Sequence, residues 1–179
     1  LGVMREVRGR GVKISVLTNS LAAPDEPLVH AAYRRYRPDM LKLGADLYEL
    51  SSTRTRRSVR LGLFGTTVGR RHAKSAVIDR RTLFVGSMNF DPRSESQNTE
   101  IGLIIHSPEM AQQMLKLLDV LKQQGAYRLR FAEGSNDSRI EWVSDDAGKI
   151  TVLHEEPDSG FWDRTMLELL APLTPESLL

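Results

Sequence analysis

Cysteine is absent from these 179 residues, which excludes a disulfide framework and any thiolate metal site. No apolar run approaches the ~18 residues that a membrane-crossing helix needs, and no signal peptide opens the chain. Bilayer contact by this stretch is therefore expected to be peripheral, or to be made by an anchor outside it. Charge of one sign is lacking too: 25 Lys and Arg face 23 Asp and Glu, for a net of +2. That balance does not suit a protein whose affinity comes from neutralising duplex phosphates, so nucleic acid is not the expected partner. His30, His106 and His154 stand alone without ligand spacing and read as surface or core histidines, so no metal is expected. What is present is 40% hydrophobic content, enough at this length for one buried core.

The chain is organised around residues 71–89, RHAKSAVIDRRTLFVGSMN. Alternating, β-branched character from His72 to Ile78 and from Leu83 to Met88 predicts two strands, with Arg80-Arg81 as a short antiparallel link. If Asp79 faces Thr82, then Lys74 faces Ser87 and His72 faces Asn89. His72 and Lys74 share one face, and so do Ser87 and Asn89. Opposed Cβ atoms lie about 4.5–5.5 Å apart, so an imidazole, an ammonium, a hydroxyl and an amide would meet on one patch. Asp79 falls on the other face at the strand end, where a structural role is expected.

These residues, HAKSAVID followed by GSMN, resemble the HxKxxxxD…GSxN signature of the phospholipase D superfamily. NTEIGLII supplies Glu100 on the next apolar strand, where the family has an acidic partner for its histidine. LTNSLAA, VHAAYRRYRPDML, FDPRS and FWDRTMLELLAPLTPESLL are similar to the C-terminal half of bacterial cardiolipin synthase-type members. The resemblance implies an α/β fold: one phospholipase D-like half, a mixed β-sheet flanked by helices, that pairs with a second half to build one active site. It implies phosphatidyl transfer or hydrolysis at a phospholipid phosphodiester through a phosphohistidine intermediate, without cofactor or metal. Two alternatives stand beside it: a metal-independent nuclease-type phosphodiesterase working as a homodimer, and an isolated half without activity. Only one HxK motif is present, so the chain reads as a fragment, or as a self-pairing single-motif protein.

Carried onto this sequence, the resemblance makes His72 nucleophile or general acid/base, with Glu100 fixing its tautomer. Lys74 and Asn89 hold the nonbridging oxygens, while Ser87, Gly86 and Arg93 lie in contact with substrate. Arg93 has a competing structural reading, a pair with Asp91. The implied location is peripheral, on the cytoplasmic face of the bacterial inner membrane, or cytoplasmic.

In chain order, Val3–Gly9 reads as the end of a helix. Val12–Leu17 reads as a central strand, with Asn19 and Ser20 at its C-terminal rim as turn chemistry or as a cleft edge. Asp25 is placed to cap a helix through Leu28, Ala32 and Tyr36, which Pro38 should kink or end, with Gly44 closing its last turn. Ala45–Leu50 completes a βαβ unit. Ser51 to Arg71, rich in Arg and Gly, reads either as a basic loop attracting anionic headgroups or as a solvated loop. Asn98–Ile105 is expected to be a buried strand. Ser107-Pro108-Glu109 opens a helix with the core stripe Met110, Met114, Leu117, Leu118 and Leu121, ended by Gly125. Three short strands then form an antiparallel sheet edge, and the amphipathic tail from Phe161 to Leu173 packs on the domain or touches a bilayer. The expected division is 1–135 for the catalytic half-domain and 136–179 for the strands and tail packed on it.

Overall fold

The structure, a computed structural model, describes residues 1–21, 27–58, 74–87 and 99–158. The Phe161–Leu173 tail, Asp25 and the stretch 59–71 lie outside the described residues. Helix α1 (Gly2–Gly9) leads into strand β1 (Ser15–Asn19), and helix α2 (Pro27–Lys42) leads into β2 (Asp46–Leu50), followed by a short α3 (Ser52–Arg57). Strands β3 (Lys74–Ile78), β4 (Thr82–Gly86) and β5 (Gly102–His106) come next. Helix α4 (Pro108–Val120) and a π turn (Leu121–Gly125) connect them to β6 (Ala126–Phe131), β7 (Ile140–Asp146) and β8 (Lys149–Leu153).

The strands form a five-stranded mixed sheet in the order β1-β2-β6-β7-β8 and a three-stranded antiparallel sheet in the order β3-β4-β5. The expected βαβ unit is present, since β1 and β2 pair in parallel with Ser15 facing Asp46 and Asn19 facing Leu50. β1, expected to be central, is instead an edge of its sheet among the described residues. The three C-terminal strands extend that same sheet antiparallel.

Strand alternation decides what each face buries. Leu47, Leu129 and Trp142 point to the α2 side, where Met40, Ala45 and Tyr127 complete a core joined by Met4 of α1. Leu50 and Ala126 point the other way, against Leu121 with Leu117, Leu118 and Val120 behind it. Ser107 caps α4, its side chain accepting from Met110 N–H, but Met110 itself is exposed and drops out of the expected stripe.

Helix α2 differs from expectation in two respects. It runs through Pro38 without stopping, because Arg37 and Met40 on either side are locked into the core. Its inward stripe is His30, Tyr33, Arg37 and Met40, and Tyr36 is 37% exposed. Arg37 is buried, 2% exposed, under the sheet. Its Nε pairs with Glu49 at 2.7 Å, its Nη1 pairs with Glu156, and Nη2 lies 2.9 Å from His30 Nε2. Trp142 Nε1–H donates to the second oxygen of Glu49 at 2.8 Å. The guanidinium carbon sits 5.0 Å from the Tyr33 ring centroid and 5.5 Å from that of Trp142. Burial pushes the Glu49 carboxyl up, with Arg37 and the Trp142 hydrogen bond pulling against it. Burial would also raise Glu156, but the His30 ring and the Arg37 guanidinium outweigh it and hold that carboxyl down at about 2.

The stretch after β2 is not wholly a loop. Ser51 caps α3, accepting from Arg54 N–H at 3.0 Å and donating to Asp158. Arg54, expected in a loop that either attracts anions or is simply solvated, is buried with a bidentate pair to Asp146 at 2.7 and 2.8 Å, and those hydrogen bonds lower the Asp146 carboxyl. Gly44 sits at φ +75°, where an added Cβ would also come 2.7 Å from Arg8 Nη2. Arg8 is held there by Leu43 O at 2.8 Å and Val12 O at 2.9 Å.

Two outcomes follow. Gly44→Ala should lower unfolding free energy by about 1–2 kcal/mol, read from urea denaturation, because a left-handed backbone excludes Cβ. Glu156 has its folded carboxyl below the free value of 4.5. Its contribution is therefore fully present above pH ~4.5 and lost as pH falls towards about 2. Glu156→Gln should cost on the order of 3 kcal/mol near pH 6, and the gap to the parent protein should close by about pH 2.

Candidate active site

The β3–β4 hairpin turns on Asp79 and Arg80, at φ +50° and +57°, with Arg81 N–H donating to Ile78 O at 3.1 Å. Two left-handed residues closed by that bond are the marks of a type I′ turn, whose twist matches the flanking strands. Three residues, Asp79–Arg81, therefore lie between the paired strands, one more than the expected Arg80-Arg81 link. Asp79 is an exposed turn residue, and it is Ile78 that pairs with Thr82. The register is accordingly one residue from the expected one: Lys74 faces Gly86, not Ser87. A one-residue slip moves side chains between faces, so Lys74 shares its face with Phe84 and Gly86, and Ser87 follows immediately beyond.

Gly86 faces Gly102 across β4–β5. A Cβ at Gly86 would stand 2.7 Å from the Ile101 carbonyl oxygen and 2.8 Å from the Phe84 ring, and one at Gly102 would stand 2.5 Å from that ring. The Phe84 ring therefore lies across two bare backbones, the packing that stabilises strand glycines. The position directly opposite Lys74 therefore holds the Phe84 ring over bare backbone in place of a side chain of its own.

Ser87 is stitched to the segment entering β5. Its N–H donates to Ile101 O at 2.9 Å, its hydroxyl donates to the Glu100 carboxylate, and Ile101 N–H donates back to that hydroxyl at 3.0 Å. Glu100 precedes β5 instead of lying on it. Lys74, Gly86, Ser87 and Glu100 thus gather at one end of the three-stranded sheet. His72, Asn89 and Arg93 lie outside the described residues. No cluster of three or more His, Asp or Glu placed to hold a metal occurs among the described residues.

β5 is not the buried strand expected from its apolar run: Leu103 is 62% and Ile104 67% exposed, and Ile101 just before it 75%. An apolar run reports the side chains and not what covers them. The sequence reading also missed the Arg37–Glu49–Glu156 cluster. The signal available was an arginine inside the Tyr33, Arg37, Met40 stripe, a charge on the inward face of a helix.

Comparison with known proteins places these features. Residues 2–121 match the family model described as cardiolipin synthase, phospholipase D-like domain. Cardiolipin synthase C of Escherichia coli K12 is 43% identical over 179 residues, covering 99% of this chain and 37% of that protein. An uncharacterized protein of Helicobacter pylori J99 is 30% identical over 159 residues, covering 89% of this chain and 30% of its own length. Cardiolipin synthase B of Salmonella typhi is 33% identical over 106 residues, covering 59% of this chain and 21% of its own length. The chain thus spans about a third of the length of the first two. Among solved structures, the phospholipase D family member Nuc from Salmonella typhimurium is similar at 18% identity and a TM-score of 0.37, covering 69% of this chain and 86% of that one.

The close approach at Gly86 makes a specific demand. Gly86→Ala should destabilise the protein by about 1–3 kcal/mol in thermal or urea unfolding, since a backbone carbonyl cannot rotate away from the added methyl. Gly2→Ala, where a methyl would meet nothing, should leave stability unchanged.

Proposed function

The chain belongs to the cardiolipin synthase, phospholipase D-like family, and from that premise we propose that it supplies one of two motifs for phosphatidyl transfer or hydrolysis at a phospholipid phosphodiester. The observation that supports this reading is that Lys74 and the Ser87–Glu100 bond stand at the same end of a three-stranded sheet. β3 carries Lys74 of the HxKxxxxD pattern with Asp79 in the turn after it, and β4 ends on Gly86 of GSxN with Ser87 just beyond.

In the proposed reaction a histidine nitrogen bonds to phosphorus while the ester oxygen leaves. A second histidine, from the other half, gives the departing alcohol its proton. It then takes a proton from the incoming alcohol or water, whose oxygen displaces the first histidine. Splitting one displacement into two lowers each barrier, and neutral imidazoles suit both roles near pH 7. His72 takes one of these roles and the other half's histidine takes the other. Lys74 and Asn89 hold the nonbridging oxygens as negative charge builds on them. Glu100 orients the imidazole, and Ser87, bonded to the Glu100 carboxylate, fixes the direction in which that carboxylate points. Gly86 is assigned to the substrate-binding end of β4, beside Lys74. Arg93 is assigned to the rim of the same site.

No helix among the described residues is long and apolar enough to cross a membrane. The proposed location, which rests on the lipid substrate of this reading, is peripheral on the cytoplasmic face of the bacterial inner membrane, or cytoplasmic. The proposed partner is a second phospholipase D-like half.

The test is turnover by the complete two-half protein, with phosphatidylglycerol vesicles in the presence of EDTA. Cardiolipin or phosphatidic acid should form, and Lys74→Ala should slow the reaction roughly 10²–10³-fold. Absence of any lipid product from the complete protein would sink the proposal. Plasmid cleavage by that protein would instead support the phosphodiesterase alternative.

A further inference from the structure

The face of the five-stranded sheet turned away from α2 carries a groove of about 300 Å³ that no step of the proposed reaction uses. Strand register builds its floor. Tyr48 of β2 faces Arg128 of β6, and Arg128 faces Val143 of β7, so these side chains stand in one row on one face. Ile150 of β8, opposite Asp145, lies on the same face. The π turn Leu121–Gly125 walls one side and sets Lys122 Nζ 5.3 Å from the Tyr48 ring centroid. Such backbone is rare and is found disproportionately at functional sites. Lys122 and Arg128 thus flank one tyrosine from two directions.

The groups gathered there are donors. Among the described residues Lys122 touches the Tyr48 ring and pairs with no carboxylate. Arg128, 60% exposed, gives one nitrogen to Asp46 at 2.6 Å, and its guanidinium has further N–H groups to offer. Burial raises the Tyr48 phenol against the pull of Arg128, so its hydroxyl keeps its proton at neutral pH. The carboxylate on the lining, Asp145, is engaged by its own turn, Oδ1 accepting Gly148 N–H at 2.7 Å. Val143 and Ile150, the latter 67% exposed, add hydrocarbon beside the donors. A lysine, an arginine and a hydroxyl converging from different sides suit a tetrahedral phosphate better than a planar carboxylate. A groove of this size takes a phosphate with a glycerol stem and not a whole diacyl lipid.

We infer that this groove binds a glycerophosphate group, its phosphate between Lys122 and Arg128 and its carbon stem over Val143 and Ile150. An anionic phospholipid presents that group at a bilayer surface, and glycerol phosphate presents it in solution. The groove belongs to the five-stranded sheet and Lys74 to the three-stranded one. The group is therefore held by a different set of residues from the phosphodiester assigned to Lys74.

The test uses the Lys74→Ala protein, which lacks the proposed catalytic cation, so that binding in the groove and turnover at Lys74 fail independently. One arm titrates glycerol phosphate and follows amide chemical shifts. The other measures co-sedimentation with phosphatidylglycerol vesicles against phosphatidylcholine vesicles. Glycerol phosphate should shift the amides of Lys122, Gln123 and Arg128 and leave those of Ser75–Val85 in place. Adding Lys122→Gln should weaken binding roughly tenfold in whichever arm shows it. Lys149→Gln, which removes the same charge from β8 outside the lining, should leave binding unchanged. Binding in both arms, or in solution alone, assigns the groove to the glycerophosphate group itself; binding to the anionic vesicles alone assigns it to lipid at a surface. Binding in neither arm, or binding that persists undiminished when Lys122→Gln and Arg128→Gln are combined, would overturn the inference.

Discussion

The architecture depends on how one guanidinium is divided. Arg37 lies under the five-stranded sheet with Glu49 from β2 on its Nε and Glu156 from beyond β8 on its Nη1. Ions this deep are stable only when each is paired and their remaining hydrogen-bonding positions are filled. The second oxygen of Glu49 is taken by Trp142, and the aromatic faces of Tyr33 and Trp142 flank the guanidinium. Helix α2, strands β2 and β7 and the chain beyond β8 therefore meet at one guanidinium. Removing any carboxylate would leave charge stranded in hydrocarbon. The cluster fixes how α2 sits on the sheet more sharply than aliphatic packing alone would, because oil tolerates small rotations and a guanidinium shared between two carboxylates does not.

The functional end of the molecule uses a different logic. The three-stranded sheet has little core of its own; Leu83 is its one buried aliphatic among the described residues. Position there comes from backbone closeness: paired glycines beneath the Phe84 ring, and a serine bonded on both sides to the segment entering β5. Lys74 faces a residue without a side chain. Rigid framework and lightly packed reactive sheet are thus held by separate kinds of force.

Much of this was legible in the sequence. The βαβ unit, the Ser107 cap, the three C-terminal strands and the hairpin all follow from period and punctuation, because those are local properties. The register missed by one residue because nothing local announces that Asp79 and Arg80 adopt left-handed backbone; Asn-Gly would have, Asp-Arg does not. Pro38 read as a kink or a stop because propensity is local, while Arg37 and Met40 hold the helix through tertiary contacts. The ion cluster was invisible for a similar reason: three of its members look like ordinary surface charges until the chain folds. The motif residues Lys74, Ser87 and Glu100 were read from a pattern, and their gathering at one sheet end is a matter of strand pairing that the pattern anticipates only roughly.

The separation of 119 positions between Arg37 and Glu156 has a consequence for biogenesis. A nascent polypeptide emerges in order, so the arginine leaves the ribosome long before its second carboxylate exists. Until then α2 must remain undocked or hydrated, and the framework closes late, in one step, when the residues around Glu156 clear the exit tunnel. Translation speed across this region should therefore matter little before that point and a great deal at it.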